Sequence, residues 1–202
     1  MIETELGKLR RSHYSDELNA SMDGTQVTVM GWVLTVRGHG NISFATVRDK
    51  NGDLSIVAKK GDCPDEIREK ISSLKAHSSI GIIGTIKASE KAPSGFEIIP
   101  TELRVFSEVT TIPPFEPTAK TVKNIDTRLE VRPIDLRRNI LQHVFKTRSL
   151  VLKTIRDYFN DQNFVEINTP KMIATATEGG AALFPIFYYN KEAFLAQSPQ
   201  LY

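Results

Sequence analysis

The feature that most constrains the fold is a series of five segments between residues 25 and 106 in which apolar and polar residues alternate. This period of two is typical of strands with one buried face. Asn51-Gly52 separates the second segment from the third and favours a tight hairpin. A helical segment follows the third strand and begins near Pro64, where the missing N–H of proline costs little. Five strands with a helix between the third and fourth are the order of an OB-fold, a barrel that binds oligonucleotides, although other small barrels share this order.

The composition and periodicity of the sequence change after residue 106. Three prolines between residues 110 and 120 favour extended backbone, so we predict a linker over 107–133. An apolar stripe at helical spacing predicts one long helix over roughly 134–160. The segment FVEINTP, residues 164–170, predicts a strand that ends at Pro170, and the remaining residues predict a glycine loop and two further strands. A unit of this size buries too little apolar surface to be stable alone, so we expect it to be the front part of a larger protein or to need a partner.

Composition excludes several classes of protein. No apolar run approaches the roughly 18 residues that span a bilayer, and the charged N-terminus lacks the apolar core of a signal peptide. One cysteine, Cys63, excludes an internal disulfide and a multi-cysteine zinc site. We therefore expect a cytoplasmic protein with no membrane segment.

The formal net charge is only +2, but basic residues cluster between Lys120 and Arg156. Ten basic residues stand against three acidic ones in this stretch, a local excess of +7. Such an excess is compatible with a polyanion-binding face. For charge alone, a solvated helix surface is the simpler interpretation.

The sequence contains none of the common catalytic motifs considered below. The four histidines are scattered without metal-ligand spacing. The phosphate-binding P-loop, the nucleophile elbow and the dinucleotide fingerprint are absent from the sequence. We therefore predict no catalytic residue and no metal ligand within these residues.

Three segments resemble the class II aminoacyl-tRNA synthetases. Residues 164–170, after a long helix, resemble motif 1 of that class. TATEGG, residues 175–180, and QSPQLY, residues 197–202, resemble amino-acid-binding segments of the aspartyl-tRNA synthetases of the archaeal and eukaryotic type. The barrel followed by a proline-rich hinge matches the anticodon domain and hinge of the same family.

The resemblance implies an α+β architecture. It consists of a five-stranded OB-fold anticodon-binding domain with an N-terminal extension over 1–106, a hinge over 107–133, and the incomplete beginning of a class II antiparallel-sheet catalytic domain over 134–202. The implied activity is that of an aspartate–tRNA ligase, which is a homodimer, uses ATP and Mg²⁺ to activate aspartate, and transfers it to tRNA. Motifs 2 and 3 are absent, so the ATP and Mg²⁺ ligands are not expected in this chain. The 202 residues alone are expected to bind tRNA but to be inactive.

The resemblance also implies an anticodon site. Phe44 matches the aromatic residue that stacks on the middle anticodon base, although alternation with Ile42 would equally allow a core position. Arg37 matches a basic residue near that base, and Glu97 an acid that accepts hydrogen bonds from a base edge; otherwise Glu97 is a surface carboxylate. Two further positions complete the predicted site. Ser55 stands where the family usually has glutamine, and because serine is shorter, direct readout of the base by this residue is in doubt. Pro93 resembles the pattern of family members that charge tRNA(Asn) as well as tRNA(Asp).

In the second unit, the resemblance implies an aspartate site. Glu178 matches a mobile-loop glutamate that contacts the substrate ammonium, a charge-assisted interaction. Gln200 matches a side chain that holds the amino acid, and Ser198 lies beside it. Pro170 matches the motif 1 proline at the dimer interface, and it also terminates a strand. Without the resemblance, residues 178–180 would be an ordinary glycine turn.

Two other functions remain open from the sequence. A non-catalytic OB-fold nucleic-acid-binding protein would need only the barrel and a dimerising helix. Within the enzyme class, an asparaginyl-tRNA synthetase is less favoured because of Pro199.

Overall fold

The computed structural model describes residues 2–3 (backbone only), 6–111, 113–119, 121, 123–174, 183–200 and 202. The chain forms two compact units, Met1–Ile112 and Pro113–Tyr202, which we treat separately. The described elements of the first unit are β1 (Ile2–Glu3), β2 (Gln26–His39), β3 (Ile42–Arg48), β4 (Asp53–Lys59), α1 (Asp65–Ser73), β5 (Ser79–Ala88) and β6 (Phe96–Ser107). Those of the second unit are α2 (Ile125–Glu130), α3 (Arg132–Asp135), α4 (Asn139–Asp161), β7 (Met172–Ile173), β8 (Pro185–Tyr188) and β9 (Lys191–Leu195).

Strands β2 to β6 form the barrel of the first unit. Antiparallel ladders join β4 to β3, β3 to β2, β2 to β5 and β5 to β6. A single parallel pair, Ile56 with Ile98, joins β4 to β6 and closes the ring. The short strand β1 pairs in parallel with β6. The predicted OB-fold, with its five strands and the helix between the third and fourth, is confirmed.

The interior of the barrel is apolar because each strand turns alternate residues inward. On β3, the inward positions are Ser43, Ala45 and Val47, all of which are buried. Small residues on this strand leave space for the isoleucines of β4, β5 and β6 and for Ile67 and Ile71 of α1. The hydrophobic effect of burying these side chains stabilises the unit.

Glycine permits one close approach between strands in the barrel wall. A Cβ atom at Gly84 would lie 2.6 Å from the carbonyl oxygen of Ile99, far closer than a carbon–oxygen contact allows. The β5–β6 register shifts at the same place, between Ile83 and Gly84. A second irregularity, between Val33 and Thr35, divides the β2–β3 ladder into two stretches.

Residues before β2 are bound to the outside of the barrel. Three hydrogen bonds join Ser12 and Thr28. The Ser12 N–H (2.9 Å) and the Ser12 hydroxyl (3.3 Å) donate to the Thr28 carbonyl, and the Thr28 N–H donates to Ser12 Oγ (2.8 Å). Leu9 and Leu18 are buried. The segment is therefore part of the folded unit and not a loose extension.

The Asp49 carboxylate ties this segment to the β3–β4 hairpin. It accepts hydrogen bonds from the Ser15 N–H and hydroxyl (both 2.7 Å), the Asn51 N–H (2.8 Å) and the Gly52 N–H (3.1 Å). Burial alone would raise the pKa of the Asp49 carboxyl, but hydrogen bonds from Asn51, Ser15 and Gly52 outweigh it and hold that pKa below its usual value.

The second unit differs from the sequence prediction at the start of its long helix. The prediction of one helix over 134–160 is wrong there: α3 ends at Asp135 and α4 begins at Asn139. Arg138 precedes α4 with extended backbone (φ −70°, ψ 129°), which interrupts the helical hydrogen bonds. The stretch predicted as linker, 107–133, also contains the helix α2.

The strand predicted over 164–170 is not present, because these residues have no strand partner among the described residues. Phe164 instead packs edge-on against Phe159 with ring centroids 5.3 Å apart, and Arg156 pairs with Glu166 at 3.0 Å. None of the described residues of α4 is buried. The two predicted strands near the end of the chain are present as β8 and β9, and they form a small sheet with β7.

No helix in the described ranges combines the length and apolar character needed to cross a bilayer.

Candidate nucleic-acid interface

The outward-facing residues of β2, β3 and β4 form a continuous surface, which we call the outer face. Its central row is the cross-strand pair of Arg37 and Phe44, which lie directly opposite each other on β2 and β3. Both side chains are exposed. Residues so paired lie within about 5.5 Å at Cβ, so a basic side chain and an exposed aromatic side chain leave the sheet from neighbouring positions.

Phe44 belongs to this face and not to the core. Its side chain is 40% exposed, whereas its neighbour Ala45 is 2% exposed. The inward positions of β3 are those of Ser43, Ala45 and Val47, so the alternative core position for Phe44 is excluded. An exposed phenylalanine on an OB barrel can stack on a nucleobase, and its stacking does not depend strongly on which base is present.

A second row of the outer face consists of Thr35, Thr46 and Ser55. The Thr35 hydroxyl donates to Thr46 Oγ1 at 3.2 Å. The hydroxyl groups of this row can donate to or accept from a base edge. The two threonines are not among the residues predicted from the sequence, although the alternation of residues in β2 and β3 places them on the same face as Arg37 and Phe44.

Glu97 lies next to Ser55 because Ile56 and Ile98 are aligned in the β4–β6 pair. Glu97 is also paired with Lys87 across the β5–β6 ladder. Ser55 and Glu97 are both half-buried. The register thus brings Arg37, Phe44, Ser55 and Glu97 to one side of the barrel.

Pro93 is exposed in the turn between β5 and β6. Around it, the Ser89 N–H donates to the Gly95 carbonyl (2.9 Å), and the Gly95 N–H donates to the Ala92 carbonyl (2.9 Å). Gly95 has φ of +79°, a conformation that glycine adopts without strain. The turn therefore holds Pro93 in a defined place at the start of the strand that carries Glu97.

The predicted aspartate site is only partly visible. Glu178 lies outside the described residues, as does the whole TATEGG segment. Ser198 is half-buried and Gln200 is exposed, both after β9. Pro170 is exposed between α4 and β7.

Part of the basic excess between residues 120 and 156 is neutralised locally. Arg128 and Arg132 donate to the buried Asp135 carboxylate at 2.9 and 2.6 Å, and Arg138 lies 3.8 Å from it. Burial alone would raise the pKa of Asp135, but hydrogen bonds and charge from Arg128 and Arg132 hold that pKa below its usual value. On α4, Lys146 and Arg148 are exposed, as the interpretation of a solvated helix surface predicts.

Among the described residues, no group of three or more His, Cys, Asp or Glu side chains could hold a metal ion.

Two family models match the chain. Residues 27–106 match the OB-fold nucleic acid binding domain. Residues 124–202 match the class II tRNA synthetases of the D, K and N group. The two models thus correspond to the barrel and to the second unit.

Curated relatives agree with these matches. An aspartate–tRNA(Asp/Asn) ligase of Methanococcus aeolicus is 47% identical over 197 residues, covering 98% of this chain and 45% of the relative. The ligase of the same name in Methanocaldococcus jannaschii is also 47% identical, covering 96% of this chain and 44% of its own length. The chain therefore spans less than half the length of these relatives.

Solved structures with the same fold are also synthetases. The asparaginyl-tRNA synthetase of Pyrococcus horikoshii, solved with asparaginyl-adenylate, has a TM-score of 0.85 at 30% identity and covers 96% of this chain and 44% of its own. An aspartyl-tRNA synthetase from Entamoeba histolytica has a TM-score of 0.74 and covers 93% of this chain and 50% of its own. At 23% identity, the second likeness shows the fold alone.

Proposed function

The chain belongs to the class II aminoacyl-tRNA synthetases of the aspartyl, lysyl and asparaginyl group, and on this premise we propose that the protein is an aspartate–tRNA ligase whose barrel binds the tRNA anticodon. The observation that carries the proposal is the exposed pair of Arg37 and Phe44 at the centre of the outer face. We further propose that residues 1–106 are the anticodon domain, 107–133 the hinge and 134–202 the beginning of the catalytic domain.

The outer face can read a base by three kinds of contact. Phe44 supplies a stacking surface for the middle anticodon base. The Arg37 guanidinium, on the paired position, attracts the backbone phosphate or an acceptor on the base. The Glu97 carboxylate accepts hydrogen bonds from a base edge. Ser55 is too short to reach as far as a glutamine would, so Glu97 and Arg37 supply most of the discrimination in this proposal.

The turn that carries Pro93 is proposed to set how strictly the last anticodon base is read. Two backbone hydrogen bonds of 2.9 Å close the turn. Proline at this position has neither a long polar side chain nor an N–H with which to reject an alternative base. Curated relatives named for both tRNA(Asp) and tRNA(Asn) support a relaxed choice between these substrates.

In the catalytic half, we propose that aspartate is held by Glu178, Ser198 and Gln200. Glu178 would pair with the substrate ammonium, and Gln200 would donate and accept hydrogen bonds at the amino acid. ATP and Mg²⁺ are the proposed co-substrate and cofactor, and their ligands are not assigned to these residues. The 202 residues alone are proposed to bind tRNA without activating aspartate.

A homodimer is the proposed assembly. The apolar residues of α4 are exposed within the second unit, and Phe164, Val165 and Ile167 after it are more than half exposed. Apolar surface of this extent is usually covered by a partner. Pro170, at the end of that stretch, is the proposed interface residue.

Replacing Phe44 by alanine tests the anticodon site. We expect the Phe44→Ala variant to bind a tRNA transcript with the anticodon GUC about 1–3 kcal/mol more weakly, the range for one lost stack. Filter binding at fixed salt measures the difference. Because Phe187 is 95% exposed on β8, Phe187→Ala removes an even more accessible ring from outside the barrel and is the control. Unchanged affinity in a folded Phe44→Ala variant would contradict the stacking role.

Replacing Glu178 by glutamine in the complete protein tests the aspartate site. Loss of the negative charge is expected to raise the KM for aspartate roughly tenfold or more while the KM for ATP changes little, because only the ammonium loses its partner. Pyrophosphate exchange measures both constants. Glu192→Gln, at an exposed position on β9, is the control. An absence of aspartate-dependent exchange in the unsubstituted complete protein would instead favour the non-catalytic nucleic-acid-binding protein.

A further inference from the structure

A cavity of about 580 Å³ opens between the N-terminal segment and the barrel, away from the pair of Arg37 and Phe44. Its walls include Arg11 and Tyr14 from the N-terminal segment, Met30 and Trp32 from β2, and Lys50 from the β3–β4 turn. The volume is within the usual range for sites that hold a small organic group. None of these residues was selected from the sequence.

The cavity is continuous with the outer face. Trp32 lies opposite Arg48 in the β2–β3 ladder, and the inward pair next to them, Val33 and Val47, is buried. Trp32 therefore faces outward on the same two strands as Phe44. The row of Arg48 lies four residue steps along β3 from the row of Phe44, which is about 13 Å at about 3.3 Å per residue. A single strand of several nucleotides, the usual site size of an OB-fold, covers this distance.

The cavity is also lined with fixed positive charge. Arg11 and Lys50 both lie against the Tyr14 ring, with the guanidinium carbon 4.3 Å and the ammonium nitrogen 4.1 Å from the ring centroid. The Arg11 guanidinium also donates to the Met30 carbonyl at 2.7 Å, which fixes its position. No ion pair among the described residues involves Lys50. Cations held over an aromatic ring are positioned before any ligand arrives.

The acidic groups nearby cancel only part of this charge. The Asp49 carboxylate lies in the wall and forms an ion pair with Arg11, with Nη1 and Oδ2 3.8 Å apart, so it offsets the charge of Arg11. It does not offset the charge of Lys50. Arg48 is paired with Asp53, so that pair contributes little net charge. The remaining combination of an indole wall and the excess positive charge of Lys50 suits a nucleobase joined to a phosphate, because bases stack on indole and phosphates pair with cations.

We propose that this cavity is a second RNA subsite, in which a nucleotide flanking the anticodon stacks against Trp32 while its phosphate lies beside Arg11 and Lys50. The inference rests on the proposed tRNA-binding function of the barrel. It extends the RNA contact along β2 and β3, from the pair of Arg37 and Phe44 to the N-terminal segment.

Intrinsic fluorescence tests the subsite directly, since Trp32 is the only tryptophan in the sequence. The 202-residue chain is titrated with a tRNA transcript bearing the anticodon GUC, and separately with uridine monophosphate. We expect the transcript to quench Trp32 emission over the same concentrations at which filter binding detects the complex. We expect the mononucleotide to have no effect at those concentrations.

Lys50→Ala supplies the second readout. It is expected to weaken transcript binding three- to tenfold at about 0.1 M salt and to reduce the slope of log affinity against log salt by about one, the value for one lost phosphate contact. Lys75→Ala is the matched control, because Lys75 is an exposed lysine after α1 that does not line the cavity.

The outcomes separate this inference from the proposed function. If the unsubstituted chain binds no transcript, both fail. If it binds, and Phe44→Ala weakens binding, but Trp32 emission or the affinity of Lys50→Ala is unchanged, then only the second subsite is overturned. Quenching by uridine monophosphate at the concentrations used for the transcript would also overturn it, because the cavity would then be a site for a single nucleotide.

Discussion

Replacing Ile98 by alanine is expected to lower the free energy of unfolding of the barrel by about 2–5 kcal/mol. The Ile98 side chain is fully buried. It lies at the single β4–β6 pair that closes the ring and is also paired with Ile86 of β5. The substitution therefore leaves a cavity at the place where three strands meet, and the surrounding side chains cannot close it without shifting the β5–β6 ladder.

Urea denaturation followed by Trp32 fluorescence measures this loss, since Trp32 lies on β2 of the barrel. Ile42→Ala is the matched control: it removes the same atoms from the outer face of β3, where the side chain is only partly buried, and is expected to cost less than about 1 kcal/mol. Equal losses for the two variants would show that the barrel is not closed at the Ile56–Ile98 pair.

Replacing Asp49 by alanine is expected to destabilise the same unit by about 3–4 kcal/mol. Each partly buried donor that loses its acceptor costs roughly 1–3 kcal/mol, and Asp49 accepts from Ser15, Asn51 and Gly52. The same urea titration measures the effect. Asp53→Ala removes a carboxylate from the same hairpin whose pair with Arg48 is partly exposed, and is expected to cost less than about 1 kcal/mol. A similar cost for both substitutions would contradict the role assigned to Asp49.

The Asp49 contribution should depend on pH in a defined direction. Its pKa in the folded protein is below the usual value, so the unfolded chain binds the proton more tightly. The stabilisation is therefore fully present above the unfolded pKa of about 3.9 and is lost as the pH falls through the folded pKa. The difference in stability between the unsubstituted chain and Asp49→Ala is expected to shrink below about pH 4, while the Ile98→Ala difference does not follow this titration.

The order of the barrel elements was predictable because alternation with a period of two is a local property of each strand. Which side of β3 faces inward was not. This strand turns Ser43 and Ala45 inward and Ile42 and Phe44 outward. A rule that places the larger apolar residues in the core would predict the opposite orientation. The bulk of the isoleucines on neighbouring strands decides which side of β3 faces inward. These isoleucines meet β3 only in the assembled barrel.

The second unit shows the limits of helical periodicity. The apolar stripe runs on through Leu136, yet the helix breaks before Arg138, where arginines gather around the buried Asp135 carboxylate. A pattern of apolar residues contains no information about such a polar cluster. The strand predicted over 164–170 failed for another reason: a strand needs a neighbour, and none is present among the described residues.

The binding of the N-terminal segment to the barrel has a consequence for the order in which the chain folds during synthesis. Ser15 is synthesised before its hydrogen-bond acceptor Asp49, which lies 34 residues later in the chain. The Asp23 carboxylate likewise accepts from the Ala88 N–H, which is synthesised 65 residues later. Contacts so distant in sequence form only after the intervening loops have closed. The segment before β2, which is synthesised before the barrel strands, must therefore be among the last parts of the unit to reach its final place, and the cavity that it borders exists only once the whole barrel has been made.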